Sequence, residues 1–166
     1  MATEIERKFL TISDEWRENA KGVLYVQGYL STDKDRTVRV RIAGDEGYLT
    51  IKGASEGASR SEFEYKIPKA EAREMLDTLC LPGIIEKARY TVPFGGLTWE
   101  VDEFAGENKG LIVAEVELPA VDTKISLPPW IGEEVTNDPR YYNSALSKNP
   151  YSQWKQDTKK CQTPKH

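Results

Sequence analysis

The strongest constraint on this chain's fold is an alternation in which charged residues recur at every second position with apolar residues between them. In a strand, residues two apart share a face. Glu4, Glu6 and Lys8 therefore point one way, while Ile5 and Phe9 point the other. Arg39 and Arg41 oppose Val38, Val40 and Ile42; Thr50 and Lys52 oppose Leu49 and Ile51. Glu62, Glu64 and Lys66 oppose Phe63, Tyr65 and Ile67, and Lys87 and Arg89 share a face two segments later. Glu100 and Asp102 oppose Trp99 and Val101; Glu115 and Glu117 oppose Ala114, Val116 and Leu118. A period of two reads as strands, and eight are expected, at about 2–10, 22–31, 35–43, 46–53, 60–67, 84–93, 96–104 and 111–119.

Gly44-Asp45-Glu46-Gly47 reads as a hairpin turn, Gly95-Gly96 as another, and residues 53–59 as a loop of small residues. Three helical stretches are expected. Ser13 or Asp14 caps a short one carrying Trp16. Pro68 opens a second, whose Ala72, Met75, Leu76, Leu79 and Cys80 form one apolar face. Asp138-Pro139 starts a third, running to about Ser147. The chain thus reads as one domain over residues 1–147, followed by a polar, fraying tail over 148–166.

What the strands do with their charges decides the class. One reading is the solvated face of an ordinary amphipathic sheet. Against it, these faces pair acid with acid and base with base, and like charges on neighbouring positions repel unless an opposite charge lies between them. The opposite, apolar face also needs cover, which the few helices supply only from outside. Curling the sheet into a closed tunnel with the charges inward satisfies both conditions. The expectation is an α+β fold: an eight-stranded antiparallel tunnel with helices packed outside. Its interior would hold eight acids (Glu4, Glu6, Glu62, Glu64, Glu100, Asp102, Glu115, Glu117) and seven bases (Lys8, Arg39, Arg41, Lys52, Lys66, Lys87, Arg89).

The single histidine, His166, ends the chain, so histidine bases, Ser-His-Asp triads and zinc–histidine sites are disfavoured. Cys80 and Cys161 are too few for a disulfide framework or a zinc site. Clustered carboxylates are hard oxygen ligands suited to Mg²⁺, Mn²⁺ or Ca²⁺, and clustered Arg and Lys receive phosphate oxygens. A cavity offering both suits a metal–polyphosphate complex. A net charge of −4 disfavours a general nucleic-acid binder.

The run Glu4-Ile5-Glu6-Arg7-Lys8 resembles the Glu-x-Glu-x-Lys signature of the CYTH, or triphosphate tunnel metalloenzyme, superfamily. Arg39-x-Arg41, Thr50-Ile51-Lys52, Glu62-x-Glu64-Tyr65, Lys87-x-Arg89-Tyr90, Trp99-Glu100-x-Asp102 and Glu115-x-Glu117-Leu118 follow in the order of its compact bacterial members, across residues 1 to about 147. The resemblance implies an eight-stranded tunnel, a cytosolic location and Mg²⁺- or Mn²⁺-dependent work on triphosphates. Carried over, Glu4, Glu6, Glu62, Glu64, Asp102, Glu115 and Glu117 form the metal-facing set, and Lys8, Arg39, Arg41, Lys52, Lys87 and Arg89 the phosphate-facing set. Glu100 and Lys66 are assigned to the rim.

Similar bacterial enzymes also imply a Lys–Tyr pair, with Lys8 reaching Tyr29 on an adjacent strand so that tyrosine accepts a proton. Simple wall packing of Tyr29 is the equal alternative. Because the compact chain has no added domain to read a base, an RNA end or thiamine, the expected activity is hydrolysis of inorganic tripolyphosphate. The enzyme alternatives are an adenylyl cyclase or a thiamine triphosphatase; that of another class is a non-catalytic polyphosphate-binding module. No apolar run approaches the roughly 18 residues that cross a bilayer, and the start lacks a signal pattern. The expected partner is a small triphosphate, with no nucleic acid and no membrane, for a cytoplasmic monomer or homodimer.

Overall fold

The computed structural model describes residues 2–18 and 20–154. Cys161, His166 and the rest of the tail beyond Trp154 lie outside the described residues. The eight expected strands form: β1 (Ala2–Thr11), β2 (Val23–Ser31), β3 (Arg36–Ala43), β4 (Glu46–Gly53), β5 (Ser59–Ile67), β6 (Ile85–Phe94), β7 (Leu97–Phe104) and β8 (Ile112–Glu117). The sheet runs β5-β4-β3-β2-β6-β7-β8-β1, and β1 closes it by pairing with β5, so the wall is a closed antiparallel barrel. Between β3 and β4, Ala43 pairs with Glu46, leaving a two-residue turn. Gly44 there takes a φ of 59°, the left-handed conformation such turns favour.

A ninth strand, β9 (Ile131–Glu134), was not expected, because Ile131-Gly132-Glu133-Glu134 carries no alternation. Its cause lies in β1, which outruns its neighbour. β5 pairs with β1 from Ala2 to Ile5, and β8 holds the other edge from Glu6 to Leu10. β9 meets Phe9 and Thr11 on the edge that β5 leaves bare, where open backbone groups would otherwise go unpaired.

Two apolar clusters cover the outside of the barrel. Phe9, Trp99, Val101, Ala114 and Val116, from β1, β7 and β8, pack beneath Trp16 and Trp130. Trp16 comes from a single 3-10 turn at Glu15–Arg17, and Trp130 meets Trp99 edge-on at 5.9 Å. On the opposite side Ala72 and Leu76 of α1 (Lys69–Thr78) pack on Val26, Val40 and Ile42 of β2 and β3. Leu79, expected on that face, is exposed because the helix ends at Thr78.

The third cluster corrects the expectation that every helix lies outside. Leu10, Tyr29, Ile85, Phe104 and Val113 have the same strand parity as the inward charges, yet they are apolar and lie together. Tyr141, Leu146 and Trp154 cover them from the C-terminal segment. This segment consists of a 3-10 turn at Pro139–Tyr141, a short helix α2 (Asn143–Leu146) and helical residues at 151–154. A segment outside the barrel wall reaches inward-facing side chains only through an open end, so it plugs one mouth. The plug forms because one ring of inward positions is apolar and must leave water. The expected cap at Asp138 is present, its carboxylate accepting from the Arg140 backbone N–H. Trp154 is buried edge-on against Tyr141 at 5.0 Å, so the packed chain continues past residue 147.

Candidate active site

Strand parity brings the charged faces of seven strands around one cavity of about 300 Å³. Glu4, Glu6, Lys8, Tyr29, Arg39, Arg41, Lys52, Glu62, Glu64, Arg89, Glu100, Glu115 and Glu117 all line it. Lys87 and Asp102 do not. They form a fully buried pair behind the lining, with Lys87 Nζ 2.6 Å from Asp102 Oδ2. Lys66 is largely exposed and pairs with Glu46 at 3.2 Å, away from the cavity.

The interior is more interleaved than separate walls of acid and base. Lys52 bridges Glu4 at 2.9 Å and Glu62 at 3.4 Å. Lys8 lies 3.2 Å from Glu115 and 3.5 Å from Glu6. Arg89 grips Asp102 with two bonds of 2.8 and 2.9 Å and reaches Glu100 at 3.3 Å. Thr50 links the Arg39 guanidinium to Glu64, accepting at 3.3 Å and donating at 3.0 Å.

Two poles nevertheless remain. On β3, Arg41 has no carboxylate in ion-pair reach among the described residues; its Nε donates to the Gln27 side-chain oxygen at 2.8 Å, and its guanidinium lies over the Tyr25 ring. Burial and the charges of Arg39 and Arg89 press it down to about 9. Arg39 nearby keeps a buried Nε with no partner among the described residues. The anionic pole lies across β1 and β8, where Glu6 and Glu117 face each other in register. Burial, then the Glu115 charge, raise Glu6 to about 7. Burial and Glu62 raise Glu4, while burial with Glu4 and Glu6 raises Glu117. In Glu115 burial is outweighed by Lys8, Arg89 and Lys87, which hold it well below the usual range. In Asp102 burial is outweighed by Arg89 and Lys87, which lower it to about 2. Burial pulls the Lys87 ammonium down toward about 7 against that partner, so the pair is anchored chiefly by Arg89.

The expected Lys8–Tyr29 pair is not made. β2 pairs with β3 and β6, whereas β1 pairs with β5, β8 and β9, so the two side chains stand on strands that are not neighbours. Order along the chain suggested adjacency; closing the barrel through β5 removed it. The Tyr29 hydroxyl instead accepts from Gln27 Nε2 at 3.4 Å. Parity alone could have added Thr37 and Tyr48 to the lining. It could not have found Tyr142, Asn143 and Ser144, which enter from the plug.

No three carboxylates among the described residues are already drawn together as a metal cage. The donor set nonetheless fits a hard divalent cation: all are carboxylates, and Glu4, Glu6 and Glu117 crowd one another's charge in a way such a cation relieves. No helix of the described residues is long and apolar enough to cross a membrane.

Comparison with known proteins agrees with this architecture. The chain is 56% identical over 156 residues to an inorganic triphosphatase of Acetivibrio thermocellus, covering 94% of this chain and all of that one. It is 41% identical over 150 residues to an inorganic triphosphatase of Nitrosomonas europaea, covering 87% and 97%. A solved crystal structure of an inorganic triphosphatase superposes with a TM-score of 0.61 at 35% identity, covering 86% of this chain and 96% of that one. The family model of the CYTH domain matches residues 2–150, and the chain belongs to the CYTH domain family.

Proposed function

We propose that this protein hydrolyses inorganic tripolyphosphate to pyrophosphate and orthophosphate with the help of Mg²⁺ or Mn²⁺. The observation that carries this reading is the buried Arg41, a cation with no carboxylate in ion-pair reach among the described residues, beside an Arg39 Nε that is likewise unpartnered among them. A buried charge left unpaired is costly, and a polyphosphate oxygen is the partner its planar donors fit. The relatives, named as inorganic triphosphatases, support the choice of substrate.

In this reading Arg39, Arg41, Lys52, Lys8 and Arg89 hold phosphoryl oxygens, and Glu4, Glu6, Glu62, Glu64, Glu115 and Glu117 hold the metal. When bound, the ion supplies Lewis-acid polarisation of a phosphoryl oxygen. Water attacks the terminal phosphorus in line; the bond from that phosphorus to the bridging oxygen breaks, and the pyrophosphate leaves with that oxygen. Arg39 and Arg41 gain strength as charge spreads on the transferring group. Asp102 and Lys87 serve from behind, fixing Arg89 and the plug. The Tyr29 hydroxyl, which lines the cavity, relays the proton of the attacking water, accepting it and passing its own to the departing pyrophosphate.

The test is phosphate release from tripolyphosphate, ATP, thiamine triphosphate and pyrophosphate, each with Mg²⁺ and with Mn²⁺. Fastest turnover on tripolyphosphate supports the reading. Preference for thiamine triphosphate, or cyclic AMP from ATP, overturns it in favour of another activity; binding without turnover leaves a polyphosphate-binding module.

A further inference from the structure

We propose that Asn143, on the plug, is a substrate-binding residue whose side-chain N–H groups receive the terminal phosphate at the closed end of the cavity. This rests on the triphosphatase reading above. The Arg41 Nε has a hydrogen to give and no lone pair to accept with. The Gln27 atom facing it at 2.8 Å is therefore the carbonyl oxygen. That turns Gln27 Nε2 toward the plug, where it donates to Asn143 at 3.1 Å. The Asn143 atom there must be Oδ1. Lys87 Nζ donates to the same oxygen at 3.1 Å.

Two donors thus fill the Asn143 oxygen, and the orientation of both amides is fixed from the Arg41 end. What remains is Asn143 Nδ2, which donates to no protein group among the described residues and is not among the buried, unpartnered atoms. The residue lines the cavity together with Tyr142 and Ser144. A neutral amide with its oxygen turned to the wall and its two hydrogens turned inward is a receptor for an anion. It adds no charge to a cationic pole that is already crowded. The same amide ties the plug to the phosphate-facing wall, so the closed end and the substrate register against each other.

Two substitutions separate a donor from a mere hook for Lys87 and Gln27. Asn143→Asp keeps an oxygen toward both partners and replaces the donor with a negative oxygen; Asn143→Ala removes both. A hydrogen bond to a charged group corresponds to roughly a ten- to hundredfold effect on affinity. With saturating metal, KM for tripolyphosphate should rise in the order wild type, Ala, Asp, by roughly tenfold or more in the Asp variant, with a smaller change in kcat. Calorimetric affinity for tripolyphosphate should follow the same order. Should the Asp variant not fold, Asn143→Ser, which keeps a donor, should lie nearer wild type than Ala. An Asp variant equal to wild type with Ala impaired, a Ser variant no better than Ala, or variants that all match wild type overturns the inference. A wild-type protein that neither binds nor hydrolyses tripolyphosphate overturns the functional reading itself, and is seen before any variant is made.

Discussion

Arg41 and Asp102 are both buried charges, and their surroundings give them opposite consequences. Arg41 faces a neutral amide and an aromatic ring, so removing it relieves an uncompensated charge. Arg41→Ala should lower turnover by roughly 10²–10³ while leaving the melting temperature unchanged or higher. Asp102 holds Arg89 and Lys87, so Asp102→Asn strands two buried cations and should cost about 3–5 kcal/mol. Its folded pKa of about 2 lies below the ordinary 3.8. The stabilisation is therefore full above about pH 4 and lost as pH falls toward 2. Urea melts of metal-free protein between pH 2 and 7 should show that acid limb in the wild type and a weaker one in the variant. Were Asp102 a metal ligand instead, metal-free stability would hardly change. For Tyr29, Phe keeps the ring and its packing. Turnover should fall by roughly 10²–10⁴ with little change in KM if the hydroxyl accepts the proton; an unchanged rate and pH profile would leave it a wall residue.

At the scale of elements, the strands were readable because parity is local. Glu4, Glu6 and Lys8 announce their face within five residues, and each charged pair from Arg39 to Glu117 repeats the signal. Strand order was not readable, since closure of β1 onto β5 joins segments more than fifty residues apart and places Lys8 and Tyr29 on separate walls. β9 exists only as an edge partner for β1, and its Gly132 and paired glutamates give no pattern of their own. The plug left one trace: Leu10, Tyr29, Ile85, Phe104 and Val113 are apolar where the parity calls for charge. Its helical turns carry no strand period, so Asn143 could not be assigned to the cavity from sequence. The plug's fit is close at Gly83, which has a φ of 95° and where a Cβ would fall 1.9 Å from the Ser147 carbonyl oxygen. Gly83→Ala should destabilise by at least about 2–3 kcal/mol, combining left-handed strain with displacement of backbone. Denaturant melts would show it, and a loss below 0.5 kcal/mol would mean that the plug is loosely seated.

For the whole molecule, closing the sheet is what makes the chemistry. An open sheet would let each acid turn to water; closing β1 onto β5 sets Glu4 against Glu62 and turns Glu6, Glu117, Arg39 and Arg41 into one cavity. The outside clusters under Trp130 and α1 hold that closure, and the plug fills one end of the barrel. The fold therefore stores two unsatisfied poles, which a divalent cation and a polyphosphate together satisfy. The direct test is the initial rate of phosphate release from tripolyphosphate against Mg²⁺ concentration, for the wild type and for the folded double variant Glu4→Gln, Glu6→Gln. A saturable rise is expected in the wild type, no turnover once the metal is chelated, and none in the double variant at any Mg²⁺ concentration. A wild-type rate that survives chelation, or a double variant as fast as the wild type, would contradict that expectation.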